Sequence, residues 1–297
     1  MAVLKNKIDF ALIFTAKNAN PNGDPLGGNR PRTTSDGLGE VSDVCLKRKI
    51  RNRLQESGNE IFVQMEIERK DEYGSLSERF RATFKDKLSN LAKVEKGKQI
   101  DKIKLKEEIA TAACQKWMDV RAFGQVFAIP KSESKNDGND DEKSVSIGVR
   151  GPVSIQSAFS CEPIIIESLQ ITKSVNGKPP KNDVGQKSPD TMGMKHRVSN
   201  AVYVTYGSIS PQLAEKTGFS EEDAAAIKNA IVSLFEGDES SARPSGSMQV
   251  LKLVWFVHNS KSGQYSSAKV HNSVKVSRDG IVNIEALAEL TPEILEG

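Results

Sequence analysis

The sequence predicts an α+β domain in which one small sheet carries helices on one face. Three observations predict it. Strand-like runs come in separated groups, not in strict alternation with helices. The first run is apolar on both of its faces, as a central strand is. Charged segments of helical period are inserted between the runs. The 297 residues are 37% hydrophobic and 27% charged, enough chain for one large domain or two modest ones. That composition excludes collagen, coiled coil and wholesale disorder.

In chain order, Ile8, Phe10, Leu12 and Phe14 alternate with Asp9, Ala11, Ile13 and Thr15 to make the first strand. Residues 18–32 are rich in Gly, Asn and Pro and form a loop whose backbone can approach a ligand closely. A helix starts near Val41, with Ser42 and Asp43 able to cap it and Gly58 able to stop it. Phe80, Phe84, Leu88 and Leu91 suit one further helix, and Leu105, Ile109, Ala112, Ala113 and Trp117 another. Short strands are expected at Gln125 to Ile129 and Val145 to Val149, followed by the small, polar-faced run Gly151 to Phe159. Strand-like segments at Cys161 to Thr172 and Ala201 to Tyr206 flank a long excursion. Ser220 opens a helix reaching about Phe235, and Val250 to Val257 is a strong final strand. This is the shape of an RNA-recognition module, without the aromatic motifs of the RRM proper.

Net charge is only +3, so the information lies in its distribution. The run Leu46 to Leu54 holds five cations and no acid. Leu46, Ile50 and Leu54 share one helix face, Lys47, Arg48 and Arg51 form a stripe beside and opposite it, and Lys49 and Arg53 take the other flank. A solvated surface helix reads similarly, except that such helices usually mix signs. From Thr172 to Arg197 there are six cations against two anions, broken by Gly and Pro so that no regular element is expected to cross it. A floppy insertion and a functional loop both fit this segment. Met192, Met194 and His196 near its end offer apolar or flat surface where bases pack. Lys131 to Lys143, with no hydrophobic residue, reads as a disordered loop.

The chemistry of common enzymes finds no purchase. Walker A, GxGxxG and GxSxG patterns are absent. The three histidines, His196, His258 and His271, have no metal-ligand spacing, so no metal or cofactor is expected, and His258 after an apolar strand reads as structural. Cys45, Cys114 and Cys161 are read as reduced thiols. Asp24 and Asp36 suit a metal or a ribose hydroxyl, but turn capping explains them more simply. His196 as a general acid or base lacks a second group. Met1 to Phe10 has no signal-peptide apolar block, which leads to a cytoplasmic expectation.

Five motifs accumulate in order: Asn20-Pro21-Asn22-Gly23-Asp24-Pro25, Val41 to Arg51, Asp119-Val120-Arg121-Ala122-Phe123-Gly124, Gly151 to Gln156, and Met192-Gly193-Met194-Lys195-His196. Together they resemble the backbone subunit of the type I-C CRISPR Cascade complex, of the RAMP superfamily, from Ile8 to about Val257. The resemblance implies an RRM-like (ferredoxin-like) palm with a helical finger insertion and a long thumb hairpin. On the chain these become palm 1–58, finger 59–117, palm 118–171, thumb 172–199 and palm 200–297. It implies a non-enzymatic, CRISPR RNA-binding subunit in antiviral defence. Copies stack head to tail as a filament along the guide, with other Cascade subunits, and leave bases free for target DNA while a recruited helicase-nuclease degrades it. Holding any guide means gripping phosphates and sugars. The implied RNA contacts are Lys47 and Arg51 first, then Arg48, Arg30, Arg32 and Ser42, with Ser154 and Gln156 on a palm loop and Met194, Lys195 and His196 where the thumb rejoins the palm. The alternative is a type III-like subunit that cuts target RNA with a loop aspartate, Asp24 or Asp36. A small-molecule enzyme is a third class, and would need a concave apolar pocket.

Overall fold

A computed structural model describes residues 2–93, 99–129, 145–172 and 192–297. The acidic loop Lys131 to Lys143, and Lys173, Lys178, Lys181 and Lys187 of the cationic excursion, lie outside the described residues.

The chain runs β1 (Ile8–Ala19), β2 (Gly23–Asp24), β3 (Arg30–Pro31), β4 (Leu38–Val41), α1 (Asp43–Glu56), α2 (Leu76–Thr83), α3 (Lys85–Lys93), α4 (Gln99–Lys116) and α5 (Met118–Phe123). It continues with β5 (Gln125–Ile129), β6 (Val145–Val149), β7 (Val153–Ile155), β8 (Ala158–Pro163), β9 (Ile166–Thr172) and β10 (Met192–Ile209). Last come α6 (Pro211–Thr217), α7 (Glu221–Val232), β11 (Met248–Val257), α8 (Ser267–Ser273), β12 (Val274–Val276), β13 (Val282–Ile284) and β14 (Glu293–Glu296). The architecture is α+β around an 8-stranded antiparallel sheet in the order β14-β11-β1-β10-β8-β4, with β7 and β9 also pairing β10.

β1 is central, as its two apolar faces require. Phe10, Leu12, Phe14 and Ala16 pack with Leu46, Ile50 and Leu54 of α1 and with Ala224, Ile227 and Ile231 of α7. Ala11 and Ile13 point the other way, to Val270 of α8 and Val274. The one-faced sheet expected from sequence is therefore corrected: both faces are covered. The second cover comes from the segment after β11, which also means that Val250 to Val257 is not the final strand. Its pieces are short, so no long periodic run announces them. Opposite Phe10 stands Gly207, where a Cβ would collide with the Phe10 ring and the Ser154 carbonyl.

A second, aromatic core gathers Phe62, Phe80, Phe84, Ile109, Trp117, Phe127 and Ile147. Phe80 stacks on Phe127 with centroids 4.2 Å apart, and Phe62 lies 4.6 Å from Trp117. The single helix expected through Phe80 and Leu91 is two helices, α2 and α3. Phe84 leaves helical geometry at φ −116, ψ 26, and Phe80 and Phe84 both lie in the aromatic core. In the segment from Thr172 to Arg197, which no regular element was expected to cross unbroken, β9 ends at Thr172 and β10 begins at Met192 among the described residues. Gly193 does not interrupt the strand, because it pairs in register with Ile171.

His258 is structural, as expected. Its Nε2 lies 2.9 Å from Asp9 Oδ2, and its Nδ1 accepts the Gln264 N–H at 3.0 Å. Lys7 Nζ is 3.0 Å from the same Asp9 oxygen, and His271 Nε2 is 3.5 Å from Oδ1. Burial pushes the Asp9 carboxyl up, but the donors His271, Ser267, Lys7 and His258 outweigh it and hold the group well below the carboxylate range. A lowered folded-state pKa contributes stability that is full above the ordinary value of 3.8 and is lost as pH falls toward the folded value. We expect Asp9→Asn to be less stable at neutral pH and to flatten the acid limb by up to about 1.4 kcal/mol per pH unit. Urea unfolding between pH 6 and pH 2 measures this, and equal acid slopes in both proteins would contradict it.

Candidate nucleic-acid interface

α1 forms where the sequence expects it. Ser42 is the N-cap, its hydroxyl accepting the Cys45 N–H, and Leu46, Ile50 and Leu54 are buried. Its cations do not form an uncompensated stripe, which corrects the expectation. Lys47 pairs with Asp43 at 2.9 Å, Lys49 with Asp238, Arg51 with Asp119 at 3.0 Å, and Arg53 with Glu56 and Glu236. Lys49 points inward, and burial pushes its ammonium pKa down against the pull of Asp238. Asp43 and Glu56 lie within one helix turn of their partners, while Asp119, Asp238 and Glu236 arrive from distant parts of the chain, where the run Leu46 to Leu54 gives no sign of them. Among the described residues, Arg48 has no ion-pair or hydrogen-bond partner.

Arg51 is the most committed of the five. Asp119 is 1% exposed and accepts the Phe62 N–H at 2.7 Å, the Val63 N–H at 3.0 Å and Arg51 Nε at 3.0 Å. The Arg51 guanidinium also lies 5.1 Å over the Phe123 ring. It joins α1 to α5 and to the start of the aromatic core, a structural role alongside the phosphate contact that the resemblance implied. Lys47 is different: Asp43 is half-exposed, and a surface pair of this kind is worth about 0–1 kcal/mol, so Lys47 remains free to exchange partners.

The loop before α1 is a closely packed turn system. Asn22 Oδ1 accepts both the Ser42 N–H at 3.0 Å and its hydroxyl at 2.9 Å. Ser42 is thereby consumed by capping, which corrects its placing as a free phosphate donor. Asn20 Nδ2 donates to the Asn29 carbonyl at 2.7 Å, and Asp24 Oδ1 accepts the Leu26 N–H at 3.2 Å, the turn role expected of it. Arg30 is exposed and without a partner among the described residues. Arg32 Nη2 is 3.7 Å from Asp24, while its Nε is buried with no acceptor, a situation that costs about 1–3 kcal/mol. Arg30, Arg32, Asp24 and Glu40 line a cleft of about 230 Å³ that reaches Ile166, at the root of β9.

The palm-loop residues fall beside this. Val41 pairs with Ala158, so the start of α1 lies next to Ser157 and Gln156. The Gln156 peptide is pinned, its N–H donating to the Tyr206 carbonyl at 2.9 Å and its carbonyl accepting from Thr205 at 2.7 Å. Ser154 and Gln156 themselves are exposed.

β9 and β10 form a projecting hairpin. β1 ends at Ala19, opposite Val198, so among the described residues Met192 to Arg197 pair only with β9. One face carries Met192, Met194 and His196 opposite Thr172, Gln170 and Ser168, with His196 Nδ1 2.8 Å from the Ser168 hydroxyl. The other carries Ile171, Leu169 with Lys195, and the Arg197–Glu167 pair at 2.8 Å. Met192 is 65% exposed and Met194 56%, apolar surface that nothing in the chain covers among the described residues. Sequence reasoning missed Glu40 and Phe159. They stand opposite each other on β4 and β8, and Phe159 is 41% exposed. An aromatic at an outward strand position was the available signal for Phe159; Glu40 had none.

The fold and site define a class: an α+β sheet protein with a projecting hairpin and a rim of cations free of acid partners. The family model for CRISPR-associated protein Cas7 matches residues 6–292, and the chain belongs to that family. It is 23% identical over 296 residues to a CRISPR-associated protein Cas7 of Haloferax volcanii, covering 98% of this chain and 81% of that one. Among solved structures it is similar to a chain of a CRISPR RNA-guided surveillance complex, pre-nicking, with TM-score 0.48, 18% identity, and coverage of 84% of this chain and 75% of that one. A chain of a second CRISPR RNA-guided surveillance complex gives TM-score 0.44 at 17% identity, covering 93% and 77%. No helix among the described residues is long and apolar enough to cross a membrane.

The two arginines are expected to separate in a stability measurement. Arg51→Ala leaves Asp119 buried and unpaired, and should cost about 3–5 kcal/mol in urea unfolding. Arg48→Ala should stay within about 0.5 kcal/mol of the parent. Equal effects would mean that the Asp119 pair does not hold α1 in place.

Proposed function

We propose that this chain is the guide-binding backbone subunit of a type I-C CRISPR surveillance complex. Copies stack head to tail along one CRISPR RNA, in company with the other subunits of the complex. The subunit holds the RNA without cutting it, and target DNA pairs with the bases it leaves free. Degradation falls to a recruited helicase-nuclease. Family membership and the five motifs in their order support the reading.

The observation that carries it is where three of the cations without acid partners among the described residues stand: Arg30 on the loop, Arg48 on α1 and Lys195 on the hairpin. Asn22 ties the loop of Arg30 to the start of α1, and the cleft beside Arg30 ends at the hairpin root. A protein that binds every guide sequence needs charge and donors at phosphate spacing, not a reader of base edges. Arg30, Arg48, Lys47 and Lys195 serve as phosphate contacts, with Gln156 and Ser154 as neutral donors. Residues 172–199 act as the thumb. Splaying a base loses about 1–3 kcal/mol of stacking, which Met194 or His196 can recover by packing against a neighbour. Asp24, turned to Leu26 and Arg32, supports a structural role over cleavage of target RNA.

Arg30→Glu with Arg48→Glu should weaken single-stranded RNA binding by tenfold or more and lower the salt slope by about 0.7 for each phosphate no longer neutralised. Fluorescence anisotropy across a salt series reads both quantities. An unchanged affinity and slope in a variant that unfolds like the parent would overturn the assignment.

A further inference from the structure

The cleft at the hairpin root is chemically unlike a phosphate site. Arg30 and Arg32 line it, but so do Asp24 and Glu40, so its formal charge is zero. Two carboxylates repel a phosphate, and two guanidiniums repel a metal cation. What matches such a lining is a neutral group with a donor edge and an acceptor edge. Pro31 and Ile166 supply apolar walls. The volume of about 230 Å³ is below the ~300 Å³ at which pockets for drug-sized ligands begin, and suits one flat ring system. Phe159 stands beside Glu40 on the neighbouring strand, with 41% of its surface open to solvent. Glu40 makes no side-chain hydrogen bond or ion pair among the described residues. The site also has a donor to spare, because the Arg32 side chain is 38% exposed and, among the described residues, pairs only with Asp24, at 3.7 Å.

We propose that this cleft binds a guanine base of RNA, with Glu40 as acceptor and Arg32 as donor. Guanine places two donors, N1–H and the N2 amine, side by side, and a carboxylate accepts both at once. It places O6 next to them, where a guanidinium donates. Adenine turns a ring acceptor toward the carboxylate, and the pyrimidines have no adjacent pair of donors. Glu40 therefore sets the preference, and Arg32 completes the edge. The inference rests on the RNA-binding reading and deepens it. A subunit that holds every guide alike has no use for a selective pocket along the variable stretch. The cleft is thus filled where the guide sequence is constant, and only in the copy seated there.

The test uses the full chain and labelled uridine-rich RNAs that differ at one position: guanosine, inosine or adenosine. Inosine keeps N1–H and O6 and lacks the N2 amine. The parent should bind the guanosine RNA about tenfold tighter than the inosine RNA. Glu40→Gln, which turns a donor toward guanine's donors, should bring that ratio to about one. Asp24→Asn, in the same cleft but with its carboxylate already engaged by the Leu26 N–H, should keep most of it. Equal binding of guanosine and inosine RNA by the parent, or a ratio that survives Glu40→Gln, overturns the pocket and leaves the RNA-binding reading intact. Free guanosine monophosphate competing as well as the guanosine RNA would make the ligand a nucleotide and overturn the assignment to RNA. Failure of every oligonucleotide to bind overturns both.

Discussion

A strand that is apolar on both faces has to be covered on both, and the fold follows from meeting that demand at β1. Phe10, Leu12 and Phe14 face α1 and α7, while Ala11 and Ile13 face α8 and Val274. β10 and β11 flank the strand and keep its amides paired. The same pairing produces the projecting hairpin. β1 stops at Ala19 while β10 extends beyond it, so the surplus of β10 leaves the sheet with β9 as its only partner among the described residues. An exposed arm is thus one continuous strand with the core.

The second organising force is the pairing of charges over long sequence distances. α1 carries many cations, and the fold neutralises most of them. Asp119 reaches Arg51, Asp238 reaches Lys49, and Glu236 reaches Arg53. Burying a lysine such as Lys49 is tolerable only with a carboxylate at hand. Outside these pairs stand Arg48 on α1, Arg30 on the loop and Lys195 on the hairpin, each without an acid partner among the described residues. Charge left over after the fold has taken its share is what an anionic partner meets.

This divides what sequence makes legible from what it does not. Local periodicity showed the α1 seam, the Ser42 cap, the Ser220 start of α7 and the strands β5 and β6, because each depends on residues a few positions apart. The break at Phe84 was invisible, since Phe80, Phe84, Leu88 and Leu91 keep the spacing of one continuous helix face. The second cover of the sheet was invisible because α8, β12 and β13 are each too short for a period to register. In the candidate site, Arg30, Gln156 and Met194 were legible as outward residues in informative patterns. The fates of Ser42 and Arg51 were not, because Asn22 and Asp119 decide them through tertiary contacts. Glu40 joins the cleft through the sheet register, which no window of sequence contains.

The central claim is that the cations left outside the internal pairs hold a guide RNA. Co-expression with a CRISPR array, followed by purification at moderate salt, tests it most directly. The absorbance ratio at 260 and 280 nm and a denaturing gel of the bound nucleic acid are the readouts. The account predicts a high ratio and one discrete CRISPR-RNA band. A protein-like ratio, persisting when the other subunits of the complex are co-expressed, would contradict it.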